Sequence, residues 1–112
     1  MRSILRIIGR ILLSQIFIIS AIMKILDFNG MGAYMAAYGL APWLLPFVIA
    51  LELVGGLMIL TGWGTRVAAF SLALFSIAAA VIFHHDFAST TQVILFMSDL
   101  AFAGGLLVLA ST

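Results

Sequence analysis

A chain of 112 residues that is 65% hydrophobic and only 8% charged departs from soluble domains, which are nearer half apolar and a quarter charged. So small a soluble domain exposes much surface, and too few polar side chains exist here to cover it, leaving lipid as the solvent. A net charge of +1 from dispersed basic residues offers no track for nucleic-acid phosphates. The absence of cysteine excludes disulfides, thiol relays, c-type haem attachment and thiolate-held clusters.

Four apolar runs follow in chain order: Leu5 to Leu26, Leu44 to Thr61, Val67 to Phe83 and Thr91 to Ala110. A spanning helix needs about 17–25 apolar residues, whereas spanning strands alternate over about ten. The runs are continuous, so the expected fold is all-α, an integral membrane four-helix bundle forming one domain over residues 1–112. The first run is too long for a signal peptide, and Ser20-Ala21-Ile22-Met23 is a poor cleavage site.

The first outer loop, Asp27 to Pro42, carries its own helical signal. Asn29 is placed to cap a short interfacial helix, Tyr34 and Tyr38 share a face, and Gly39 is placed to end it. Pro42 then opens the second span. Gly62-Trp63-Gly64-Thr65 makes a tight turn, and Trp43 and Trp63 mark the two headgroup levels of the second span. Arg2, Arg6, Arg10 and Arg66 fall on one side and Lys24 on the other, which predicts cytoplasmic N- and C-termini.

An ionisable group at the bilayer centre costs about 2.5–3.5 kcal/mol on the insertion scale, so each needs a partner or a purpose. Glu52 and Asp99 fall in mid-span, with Gln15 and Ser76 at a similar depth. Ser3, Arg6, Arg10, Ser14, Ala21 and Lys24 form one stripe of the first helix, and Gln15 lies off it. Gly55 and Gly56 flank the direction of Glu52, a face open to close backbone approach. Gln92 and Ala103 share the face of Asp99. Two carboxylates at one depth in low dielectric require a retained proton or basic compensation, for which Arg10 and Lys24 have the reach. The candidate ligand or proton site is therefore Glu52, Asp99, Lys24, Arg10 and Gln15, and the competing reading of each is helix packing. Arg66 reads as an interface anchor. Adjacent His84 and His85 project about 100° apart and cannot chelate one ion from a regular helix, so no metal is expected. No catalytic constellation and no covalently held cofactor is legible.

Taken together, several segments resemble the DoxX family of small four-helix bacterial inner-membrane proteins. They are Arg10-Ile-Leu-Leu, Ser20-Ala-Ile-Met-Lys24, Tyr38-Gly39-Leu40-Ala41, Glu52-Leu-Val-Gly55-Gly56, Gly62-Trp-Gly-Thr65-Arg66, His84 or His85, Gln92, and Leu100-Ala-Phe-Ala-Gly104-Gly105. Many members resemble a Phe-x-Lys-Asn-Leu run in the fourth helix; here it is Phe96-Met-Ser98-Asp99-Leu100, without the base and with an acid for the amide. The resemblance implies a role near quinone chemistry, with Lys24, Glu52 and Arg66 the best-matched positions. The leading expectation is an accessory or quinone-contacting subunit of a membrane redox system, in contact with an oxidoreductase partner or with further copies of itself. The alternatives are a proton-coupled transporter working as an oligomer and a structural or assembly partner.

Overall fold

The computed structural model describes residues 2–112, and they are helical with no strand among them. Five α-helices follow in order: α1 Arg2–Leu26, α2 Phe28–Ala37, α3 Leu45–Thr61, α4 Thr65–Phe83 and α5 Thr90–Ala110. A 3₁₀ turn, Pro42–Leu44, leads into α3. Four helices are long and apolar enough to cross a membrane, among them α3 taken with its leading turn from Pro42. They begin at Arg2, Pro42, Thr65 and Thr90, slightly ahead of the apolar runs, because polar first-turn residues extend a helix without adding hydrophobicity. Large apolar side chains such as Leu12, Met23, Phe47, Val67 and Val108 are exposed, as lipid-facing walls require.

The chain forms two compact units, residues 1–64 and 65–112. In the first, α1 and α3 pack as an antiparallel pair. A Cβ built on Gly56 would meet Ile18 Cγ1 at 2.8 Å and the Ser14 carbonyl at 3.4 Å, and the Arg10 guanidinium lies 3.6 Å from the corresponding point at Gly62. Lys24 pairs with Glu52. Residues rising along α1 thus meet residues descending along α3. The contact face of α1 buries Ser14, Phe17 and Ala21, and that of α3 buries Leu45, Ile49, Glu52, Gly56 and Ile59. Both sets alternate steps of three and four, the spacing of an interhelical seam. The stripe read from the sequence therefore lies on the packing side from Arg10 to Lys24, where Phe17 joins it, while Ser3 and Arg6 are exposed.

Between them, α1 breaks at Asp27 (φ −124°, ψ 51°), which precedes α2 without a side-chain cap bond. Asn29, expected as the cap, lies inside the first turn of α2, because the helix starts one residue after Asp27. Gly39 ends α2 as expected. Its φ is 80°, its N–H bonds the Ala36 carbonyl and the Leu40 N–H reaches back to Met35, each at 3.0 Å, the Schellman pattern that only a left-handed residue completes. Tyr34 and Tyr38 stack at 5.0 Å between ring centroids. Burial first, then the Tyr38 hydroxyl, pushes the Tyr34 phenol up to about 12, so it stays a neutral hydroxyl at the water-facing end of this unit. Gly62 and Gly64 close the turn after α3 with φ of 81° and 61°, conformations that side chains with a Cβ rarely adopt.

In the second unit α4 and α5 pack together. Helix α4 buries small residues, Ala68, Ala69, Ala73, Ser76 and Ala80, together with Leu72. Helix α5 buries Ala103 and Leu106, in line with half-buried Gln92 and Asp99. Ser89 accepts the Gln92 N–H at 3.4 Å as N-cap of α5.

The close approach at Gly56 sets the α1–α3 spacing. Gly56→Leu is expected to cost about 1–3 kcal/mol by overpacking, whereas Gly9→Ala, where an added Cβ meets nothing within 4 Å, is neutral or slightly stabilising. Thermal unfolding of both variants in mild detergent checks this.

Candidate functional site

Two acid–base contacts stand out, one in each unit. Glu52 lies two turns into α3, about 10 Å along the axis from Leu45. Its side chain is 3% exposed and pairs with the ammonium of Lys24, itself 16% exposed. Lys24 stands in the last turn of α1 and extends inward along the seam. Its Nζ also donates to Ser20 Oγ at 2.9 Å, one turn back on α1. Burying a lone carboxylate in hydrocarbon is prohibitive; pairing it with an ammonium that enters from the helix end makes it tolerable. A lysine suits this geometry because its four-carbon stem packs against apolar neighbours while its head moves along the helix axis.

The second contact joins the end of α4 to the interior of α5. His84 Nε2 lies 3.6 Å from Asp99 Oδ2, with side chains 19% and 21% exposed. The other ring nitrogen, Nδ1, lies 3.1 Å from Gln92 Oε1. Gln92 and Asp99 are seven positions apart on one face of α5, so the ring spans two turns of that helix. His84 and His85 diverge as their 100° offset demands. His85 Nδ1 turns back to the Val81 carbonyl at 3.0 Å and caps α4. Asp86 accepts the Ala88 N–H at 3.2 Å and shapes the loop.

Of the residues singled out in the sequence, Lys24 and Glu52 meet directly, and Gly56 provides the close approach beside them. Gly55 is buried next to it. Arg10 is half-buried one seam position beyond Ser14, by the Gly62 turn, and its Nε is buried without a hydrogen-bond partner. Gln15 is exposed, and Ser14 beside it is buried; one residue of helix rotation, 100°, separates the two, so Ser14 is the polar group that α1 buries. Arg66 is exposed and donates to the Thr112 backbone oxygen at 2.9 Å, joining the start of α4 to the end of α5. The sequence reading set Glu52 and Asp99 at one depth and offered Lys24 and Arg10 as the bases with the reach to compensate them. The structure gives each a basic partner within its own unit, Lys24 for Glu52 and His84 for Asp99. The His84–Asp99 contact was missed because the two lie fifteen positions apart across a loop. Helical spacing already tied Gln92 to Asp99, and only the loop's return path was lacking.

These features define a small helical membrane protein whose mid-span acids each face a basic side chain arriving from a helix end. The DoxX family profile matches residues 5–85, and the chain belongs to that family. It is 41% identical over 105 residues to "Inner membrane protein YqjF" of Escherichia coli strain K12, covering 94% of this chain and 81% of that protein. It is 33% identical over 118 residues to "Inner membrane protein YphA" of the same organism, covering 99% and 84%. No solved structure matches it. The chain is thus a small inner-membrane protein. The family match includes Lys24, Glu52 and Arg66 and ends at His85, ahead of α5, whose Phe96–Leu100 run departs from the pattern many members resemble.

Removing Lys24 alone strands the Glu52 carboxylate. Lys24→Ala is expected to cost about 3–5 kcal/mol, while Lys24→Met combined with Glu52→Leu recovers most of that loss, because an apolar pair carries no desolvation penalty. Unfolding of the single and double variants in detergent separates the two.

Proposed function

We propose that this DoxX-family protein is an accessory, quinone-contacting subunit of a membrane redox system. The observation that carries the reading is the Lys24–Glu52 pair, a donor-rich cation held by a buried carboxylate inside a lipid-facing helix pair. A quinone, when bound, supplies carbonyl oxygens that accept hydrogen bonds and a ring that carries electrons and protons. The chain's donor set fits such a headgroup. Glu52 is nearly sealed and Lys24 is the more exposed of the two, so a ligand entering from the lipid meets the ammonium first. Glu52 orients that ammonium and is the group to which a proton passes. With no cysteine in the chain, thiolate-held electron carriers belong to a partner. Helix α5 leaves Gly104 and Gly105 exposed, and a Cβ on Gly104 would meet nothing within 4 Å, a face suited to a partner helix.

Binding of a short-chain quinone analogue to the protein in nanodiscs tests the reading. Glu52→Gln is expected to weaken it at least about tenfold, or about 1.4 kcal/mol, and unchanged affinity removes the proposal.

The same proposal places both termini in the cytoplasm, supported by Arg2, Arg6, Arg10 and Arg66 against the single Lys24. Alkaline phosphatase fused after Thr112 is then expected to be inactive, and active when inserted in the 84–89 loop. The opposite pattern inverts the topology.

A further inference from the structure

We propose that His84, Gln92 and Asp99 form a proton-binding and proton-transfer site, exchanging a proton between water at the 84–89 loop and a carboxyl group inside the α5 span. The proposal is independent of the quinone reading, since none of the three residues belongs to the Lys24–Glu52 pair.

Three observations carry it. First, an ionisable residue within a span is a functional candidate by default, and Asp99 lies two and a half turns into α5, about 14 Å from Thr90. Second, its basic partner is an imidazole, the one side chain whose ordinary titration range brackets neutral pH. Had neutralisation alone been required, a lysine or arginine would provide it permanently. Third, the ring is anchored on one nitrogen. Gln92 Oε1 lies 3.1 Å from Nδ1 and, as an acceptor, holds the hydrogen there. That leaves Nε2 as the nitrogen that gains and loses a proton, and Nε2 is the one facing Asp99.

The 3.6 Å separation is an ion-pair distance and too long for a hydrogen bond; charge-assisted N–H···O bonds lie at about 2.7–2.9 Å. Pivoting about the Nδ1–Gln92 bond closes that gap. The steps balance. Hydronium at the loop gives a proton to the Nε2 lone pair, its O–H bond breaking to leave water, and an imidazolium forms beside a carboxylate. On closure the Nε2–H bond breaks, its electron pair stays on nitrogen, and an Oδ2–H bond forms. The products are a neutral Nδ1–H imidazole and a neutral carboxyl, so the pair's net charge is unchanged in transfer. Each of the two side chains keeps about a fifth of its surface exposed, so neither is sealed inside the α4–α5 pair.

The other charged and titratable groups of this unit have contacts of their own. His85 is turned to the Val81 carbonyl, Asp86 is engaged by the Ala88 N–H, and Arg66 is at the opposite end of α4 on the Thr112 oxygen. Helix α5 carries no acid or base other than Asp99.

The test is nitrogen-15 NMR of histidine side chains in the full-length protein in nanodiscs, with two-bond correlations that report which ring nitrogen is protonated. Across a titration from about pH 5 to 8, the wild-type His84 ring is expected to pass from doubly protonated to the neutral Nδ1–H form, with its Nε2–H resonance protected from exchange at the acidic end. Asp99→Asn is expected to lose that protected resonance. Gln92→Leu is expected to switch the neutral ring to the Nε2–H form, and this second variant leaves both titrating groups in place should Asp99→Asn fold poorly. A wild-type ring that keeps one protonation pattern over that whole range, or whose neutral form is Nε2–H, overturns the proposal; so does an Asp99→Asn spectrum identical to wild type.

Discussion

A carboxylate cannot sit alone in hydrocarbon, and the whole first unit is arranged around that constraint at Glu52. The only lysine in the chain is Lys24, and it stands on the neighbouring span near its end. For its ammonium to reach a group two turns into α3, the two helices must run antiparallel, lie close and hold a definite register. Gly56 permits the closeness, since any Cβ there collides with Ile18. The register follows as a ladder, with Lys24 at Glu52, Ser14 and Ile18 at Gly56, and Arg10 at Gly62. A slip of one turn would separate the charges by about 5 Å and expose the carboxylate to lipid. In a membrane, where apolar packing cannot discriminate between equally greasy faces, such a pair supplies the specificity that hydrophobic burial supplies in water.

The second unit solves the same problem with different chemistry. Its acid also sits on the seam line of a spanning helix, and its base also comes from a helix end. The base is now a histidine carried just past α4, held by Gln92 as well as by the acid. Glu52 is almost completely sealed, whereas Asp99 keeps a fifth of its side-chain surface open. A lysine faces the sealed acid. A histidine faces the more exposed one.

How much of this was legible depended on what kind of information each feature carries. The spans, the short helix ended by Gly39 and the glycine turn after Thr61 are local properties of composition and backbone freedom, and reading along the chain finds them. The packing stripe of α1 was equally plain, because a 100° step per residue assigns Ser14 and Ala21 to one side and Gln15 to another. Register between helices is not local. Periodicity placed Glu52 and Asp99 on inward faces with Lys24 and Arg10 as bases within reach, but could not say which base each acid would meet, and it did not bring His84 to Asp99. Asn29 shows the same limit at smaller scale: a capping residue type was present, but whether the chain turned at Asn29 or Asp27 depended on where α1 broke.

Stability alone does not account for either pair. Two apolar side chains would fill these seam positions without a desolvation penalty, and replacing a buried ion pair by well-packed hydrophobic residues is often neutral or favourable. For Lys24 and Glu52 the register argument offers a structural purpose, because the pair locates α3 along α1. It is weaker for His84 and Asp99, since the short loop from His84 to Ser89 already limits how α5 can slide along α4. Ser89 caps α5, Asp86 shapes the loop and Arg66 ties the far end to Thr112. With the register restrained at both ends by other contacts, a partly exposed His–Asp pair adds little that the fold lacks. What it adds is an imidazole nitrogen beside an acid within a span, the pairing on which the proposed proton transfer rests.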